Sequence, residues 1–165
     1  MHCNKVGFTK GFQMINEFAE KMGCTLHPDG SGAIEVKTPF CLAGGNPLRF
    51  RIERNGDTVR MADNGDVLFH LAGHGVDASG PTAWYEVIQI VGAFGIHVSY
   101  TGEITGTDSV AEVKNLAIRY LSALLAVAAF ERSQLGEAEE QSDARARAAN
   151  RLLGMMLKEL RVSHP

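Results

Sequence analysis

Asp66, His70 and His74 stand at successive four-residue intervals in MADNGDVLFHLAGHGVD, residues 61–77. That spacing lines side chains along one face of a helix. Two imidazoles at i and i+4 with a carboxylate nearby make a ligand set that a transition metal accepts, and the chemistry it opens is metal-assisted hydrolysis. Two features of the segment count against it. The metalloprotease pattern needs a glutamate directly after the first histidine as general base, and position 71 is leucine. Gly73 and Gly75 predict a helix that frays by His74. Asp66 has an equally good task near the helix start, where a carboxylate meets the positive end of the helix dipole. The residues therefore assign no metal and no cofactor, with Asp66, His70 and His74 as the only ligand candidates.

Other catalytic patterns are absent from the sequence. His2, His27, His97 and His164 have no supporting spacing, and Cys3, Cys24 and Cys41 form no C-x-x-C pair. LAGGNP (42–47) lacks the Lys-Ser/Thr of a phosphate loop and opens onto a strand pattern. With no G-x-S-x-G either, the expectation is a protein that is not an enzyme.

The totals narrow the field further. At 165 residues the chain is long enough for one proper hydrophobic core, and 45% hydrophobic with 21% charged residues is ordinary for a globular protein. A net charge of −3 argues against a polyanion binder acting through overall charge, so nucleic acid would need a local basic patch. MHCNKVGFTKGF does not read as a secretory signal. The longest apolar run, 116–130, contains Arg119 and is shorter than the roughly 20 residues of a membrane span. A cytoplasmic protein without a membrane partner is expected.

The elements follow from periodicity. Phe8, Phe12, Ile15, Phe18, Ala19 and Met22 keep helical spacing up to Gly23, and HPDGSG (27–32) is a turn by composition. AIEVKTPF, LRFRIE and TVRM alternate with period two, which predicts a small antiparallel sheet over about 33–62. Asn55-Gly56 is a hairpin signal. With those two residues at the tip, Arg54 would face Asp57, Ile52 Val59, Arg51 Arg60 and Phe50 Met61. That register groups the apolar pairs, but it opposes two arginines, with Arg49 close by. An anion is needed between them: Glu53 or Glu35, a phosphate, or an acidic partner surface. Arg49, Arg51 and Arg60 are the candidate protein- or anion-binding residues.

A short helix carrying Val67, Leu68, Leu71 and Ala72 is predicted to end at Gly73 or Gly75, a further helix over 81–94, and a small hairpin over 96–106. A long helix should follow from Asp108 or Ser109 to about Arg132, with Ser109 and Glu112 as a capping box. After the acidic stretch GEAEEQSD (136–143), Ala149, Leu152, Leu153, Met156, Leu157 and Leu160 form an apolar stripe. The fold class is α+β, with a domain over 1–135 and an amphipathic helix over 136–165. That helix either packs on the core or forms an oligomer or partner interface through Leu152, Leu153, Met156, Leu157 and Leu160.

The order of these motifs carries a resemblance. VKTPF (36–40), a strand, VRMADNGDVLFHLAGHGVD (59–77) and IVGAFGIHVSYTGEI (90–104) are similar, over roughly residues 10–132, to a phage-associated family called domain of unknown function 1828. Ala62-Asp63-Asn64-Gly65 stands where the family has T-D-D-G. The resemblance implies that residues 63–65 are first of all a strand-to-helix turn, and that His70 and His74 are not metal ligands. It also implies a phage or mobile-element origin without an established activity. Small phage proteins of this size often block a host factor, including components of bacterial defence systems. The leading expectation is a non-catalytic, anti-CRISPR-like protein that binds a host protein or complex. A nucleic-acid-binding module using the arginines is the alternative, and a metal-dependent hydrolase the second.

Changing Leu153→Glu and Leu157→Glu together distinguishes the two roles of the stripe. An interface yields a soluble monomer by light scattering, whereas a core position yields an unfolded or aggregated chain, because buried unpaired charge is costly.

Overall fold

The computed structural model describes residues 5–76 and 81–136. They form an α+β fold in which a six-stranded antiparallel sheet packs against helices. In chain order the elements are α1 (Lys5–Met22), β1 (Thr25–Pro28), β2 (Ile34–Cys41), β3 (Pro47–Asn55), β4 (Thr58–Ala62), α2 (Asp66–Gly73), α3 (Pro81–Gly92), β5 (His97–Val98) and β6 (Ile104–Ser109). A long helix, α4, then occupies 113–136. The sheet order is β1-β2-β3-β4-β6-β5.

The sheet is thus wider than the segment 33–62. Thr25–Pro28, of which composition assigns His27 and Pro28 to a turn over 27–32, is an edge strand beside β2. β6 returns from the 96–106 hairpin to lie beside β4. Gly106 in β6 permits the approach of α4, since a Cβ there would meet Ile96 Cδ1 at 2.6 Å and Leu116 Cδ1 at 3.0 Å. The sheet's apolar face carries Val36, Leu48, Phe50, Ile52, Val59, Met61 and Ile104, all buried. The segment Val110–Gly136 is long and apolar enough to cross a membrane, with mean hydropathy 1.4. Here its Val113, Leu116, Tyr120, Leu124 and Val127 are buried, and the Tyr120 ring lies 5.1 Å from that of Phe50. Removing such side chains from water stabilises by about 1.5–3 kcal/mol each.

The hairpin register differs from the sequence reading by two residues. Asn55 pairs Thr58, Arg54 Val59, Glu53 Arg60, Ile52 Met61 and Arg51 Ala62. The turn residues are Gly56 and Asp57, and of the pair Asn55-Gly56 only Gly56 has positive φ, at +60°. A glycine in the first central position suits this turn, whereas Asn55-Gly56 at the tip would need positive φ at both. A shift of two keeps every side chain on its face, so the apolar pattern cannot discriminate between the registers. Charge can: Glu53 replaces Arg51 opposite Arg60.

The capping box at the start of the long helix is also absent. Ser109 precedes a short 3-10 turn, Val110–Glu112, without a side-chain cap, and Glu112 instead accepts a hydrogen bond from Asn115 Nδ2 at 2.6 Å. Pairing with β4 carries β6 through to Ser109, which delays the helix to residue 113.

At the strand-to-helix turn, Asn64 and Gly65 both adopt positive φ, at +58° and +80°. Asp63 makes that possible. Its side chain is buried, and its carboxylate accepts N–H groups from Gly65 (3.1 Å), Val67 (3.0 Å) and Ile104 (2.8 Å). Burial raises its carboxyl above the ordinary range, while the three donors pull it back down. Ile104 answers through its carbonyl, which accepts the Asp63 N–H at 3.3 Å and the Tyr120 hydroxyl at 2.6 Å. Burial holds the Tyr120 hydroxyl well above its usual pKa, so it stays a neutral donor.

The chain divides into two units, Met1–Glu131 and Arg132–Pro165. Of the second, residues 132–136 continue the helix. Leu152, Leu153, Met156, Leu157 and Leu160 lie outside the described residues.

Asp63→Ala removes the acceptor of three N–H groups and should cost about 3 kcal/mol in urea unfolding, since buried unsatisfied donors cost ~1–3 kcal/mol each. Tyr120→Phe should cost only about 1 kcal/mol, because the Ile104 carbonyl keeps the Asp63 N–H. Equal losses would contradict the hierarchy.

Candidate functional site

Three surfaces carry the residues of interest. The first is the polar face of the sheet. β3 and β4 bring Arg49, Arg51 and Arg60 together there, and each lies beside a carboxylate. Arg49 approaches Glu35 at 3.8 Å; Arg51 binds Asp29 and lies 3.8 Å from Glu53; Arg60 is 3.3 Å from Glu53 and also binds Glu103. Glu53 is thus the anion between Arg51 and Arg60. Asp29 is held below its usual pKa, first by the Ser31 hydroxyl and backbone N–H and then by Arg51. Exposed pairs of this kind contribute about 0–1 kcal/mol each, so their effect is more on the charge of the face than on stability.

The second surface is built by α2. Its C-terminus closes in a Schellman arrangement: Val76 N–H reaches the Leu71 carbonyl at 3.1 Å, and Gly75 N–H reaches that of Ala72 at 3.3 Å, with Gly75 at φ +81°. His74 is the cap residue, and its N–H still reaches the His70 carbonyl at 3.1 Å. The helical alignment therefore survives to His74, although Gly73 and Gly75 predict fraying. The two imidazole rings lie 4.1 Å apart, tilted by 30°. Asp66 does not join them; it is exposed in the first turn of α2. The carboxylate that does is Glu131 of α4, wholly buried, with Oε1 2.9 Å from His70 Nε2.

The loop between β2 and β3, which fits no phosphate-binding pattern, arranges this group. Ala43 donates its N–H to Glu131 Oε2 at 2.8 Å, and Asn46 Nδ2 lies 3.2 Å from His70 Nδ1. Gly44, at φ +71°, lies so close under His74 that a Cβ would meet Cε1 at 3.1 Å. Leu42, Asn46, Phe69 and both histidines line a cleft of about 480 Å³. Glu131 was not legible as a partner, because it follows an apolar helical run far away in sequence.

The third surface is aromatic. Phe69 is 84% exposed and Tyr100 99% exposed. They border a groove of about 560 Å³ whose floor includes Leu68, Ala72, Trp84 and Gly102. Tyr85, 62% exposed, follows Trp84 on α3. Gly102, at φ +85°, turns the β5–β6 hairpin and leaves room for the Trp84 ring 3.8 Å from where a Cβ would be. Sequence reasoning missed this surface. The signal available was Phe69 within VLFHL, one position out of phase with the buried Val67, Leu68 and Leu71.

The family model described as Domain of unknown function DUF1828 matches residues 38–127, more than half of the chain. The match takes in the arginines, the turn at Asp63, both histidines and the aromatic groove, and ends before Glu131. No curated protein and no solved structure matches this chain.

Because Phe69 and Tyr100 face solvent, replacing both by serine should change unfolding stability by less than about 0.5 kcal/mol. Chemical denaturation checks this; a larger loss would make the aromatic surface part of the core.

Proposed function

Starting from a chain that belongs to the family of domain of unknown function DUF1828, we propose a non-catalytic interaction module that binds a protein partner through the surface around Phe69 and Tyr100. The observation that carries this reading is the exposure of two large aromatic rings on the rim of one groove. A single exposed apolar residue is ordinary, but a group of them marks a contact surface. Aromatic side chains on the rim of a groove are also the residue types that dominate binding energy, because they bury much area for little rotamer entropy. The partner we propose presents an apolar ridge that fills the groove over Trp84 and Leu68.

The phage-associated character of the resemblance supplies the class of partner. We place it as a cytoplasmic host protein, such as a component of a bacterial defence system, blocked by occlusion. The paired arginines support a protein over a polyanion, since the four carboxylates of Asp29, Glu35, Glu53 and Glu103 outnumber the three cations of Arg49, Arg51 and Arg60. Self-association through the C-terminal stripe is a companion proposal, tested by the Leu153→Glu, Leu157→Glu change.

The test begins with a tagged full-length chain in bacterial lysate, with and without nuclease. The retained partner is then purified and titrated against the wild type and the Phe69→Ser, Tyr100→Ser variant. A partner retained after nuclease, whose affinity falls at least tenfold in the variant, supports the reading. Equal affinity for the variant, or a partner lost with nuclease, overturns it.

A further inference from the structure

We infer that His70, His74 and Glu131 form a binding site for a divalent transition metal ion of the zinc class. Their ligand atoms all lie within 4.8 Å of one another, and His70 Nε2 and Glu131 Oε1 are 2.9 Å apart. Around zinc, nitrogen and oxygen ligands at about 2.0–2.2 Å stand roughly 3.4 Å from each other, so a small adjustment seats an ion among the three.

The second observation is that the close pair is not a hydrogen bond. His70 Nε2 and Glu131 Oε1 are buried, yet among the described residues neither finds a hydrogen-bond partner despite their separation of 2.9 Å. Buried polar atoms are almost always satisfied, and a buried ion pair is stable only with good hydrogen-bond geometry. A cation that accepts a lone pair from each atom satisfies both at once and requires no alignment between them.

The surroundings hold the ligands in the way that metal ligands are held. Glu131 Oε2 is tied to the Ala43 N–H, which leaves Oε1 to the ion. The Asn46 side-chain amide sits at His70 Nδ1. With its oxygen turned toward that atom it accepts Nδ1–H, and Nε2 then presents a lone pair. Gly44 leaves room for the His74 ring, whose Cε1 would lie 3.1 Å from a Cβ at that position. Two imidazoles and one carboxylate suit zinc or cobalt rather than calcium or magnesium, which take oxygen ligands. His74 is the exposed member, so the ion's remaining position opens toward the cleft, where a water molecule completes the coordination.

The experiment uses the full-length chain stripped with chelator, then titrated with zinc chloride by calorimetry and with cobalt chloride by visible absorption. The expected result is one ion per chain, a rise in the thermal midpoint with added zinc, and the intense cobalt bands of a four-coordinate site. His74→Ala, on an exposed residue, should keep the fold by circular dichroism and lose affinity at least a hundredfold. Asn46→Ala should weaken binding about tenfold while keeping one site. Wild type that binds no ion, or binds it no more tightly than His74→Ala, overturns the assignment. So does a zinc titration that leaves the midpoint unmoved.

Discussion

The buried carboxylate of Asp63 is the contact on which the rest of this structure depends. A strand must end, reverse through two residues at positive φ, and begin a helix, with Ala62, Asp63 and Val67 buried around the turn. Backbone N–H groups at such a place cannot be left to water. One carboxylate accepts three of them, from Gly65, Val67 and Ile104. It thereby joins the turn, the first turn of α2 and the strand β6. Tyr120 adds α4 through the Ile104 carbonyl. Elements distant in sequence thus meet at Asp63 and Ile104.

The histidine group and the aromatic groove both radiate from that point, because both include faces of α2. The helix is only eight residues long, and its inward and outward positions alternate within a single turn. His70 points toward α4 and the β2–β3 loop, whereas its neighbour Phe69 points into solvent. A change in the seating of α2 would therefore move the histidine cluster and the aromatic groove together. Phe69 lines both the groove and the cleft above the histidines. An ion bound by His70, His74 and Glu131 would fix the helix against α4, and so present the aromatic rim in one orientation to a partner.

The arginine face follows a different logic. Its positive charges are answered from within the strands, by Glu35 and Glu53 in adjacent β2 and β3, and from the β1–β2 and β5–β6 connections, by Asp29 and Glu103. Such a face is polar without a strong net charge, which keeps a sheet surface soluble without steering it toward polyanions.

The sequence by itself determined which residues are apolar at which period, and hence the helix near the start, the alternating strands, the 96–106 hairpin and the α+β class. It also determined the turn at Asp63, because Asp-Asn-Gly has few other uses. It could not determine the hairpin register, since a two-residue slip leaves every face unchanged and only the pairing of Glu53 with Arg60 separates the alternatives. Nor could it determine that β6 lies beside β4, a pairing across a gap that holds two helices. The histidine group shows the limit most clearly. Spacing along one helix nominated Asp66, His70 and His74, and the tertiary structure kept the two histidines and exchanged Asp66 for Glu131. Periodicity reports only which side chains share a face of their own element. Which carboxylate lies across from that face is settled by packing between elements, and no local pattern records it.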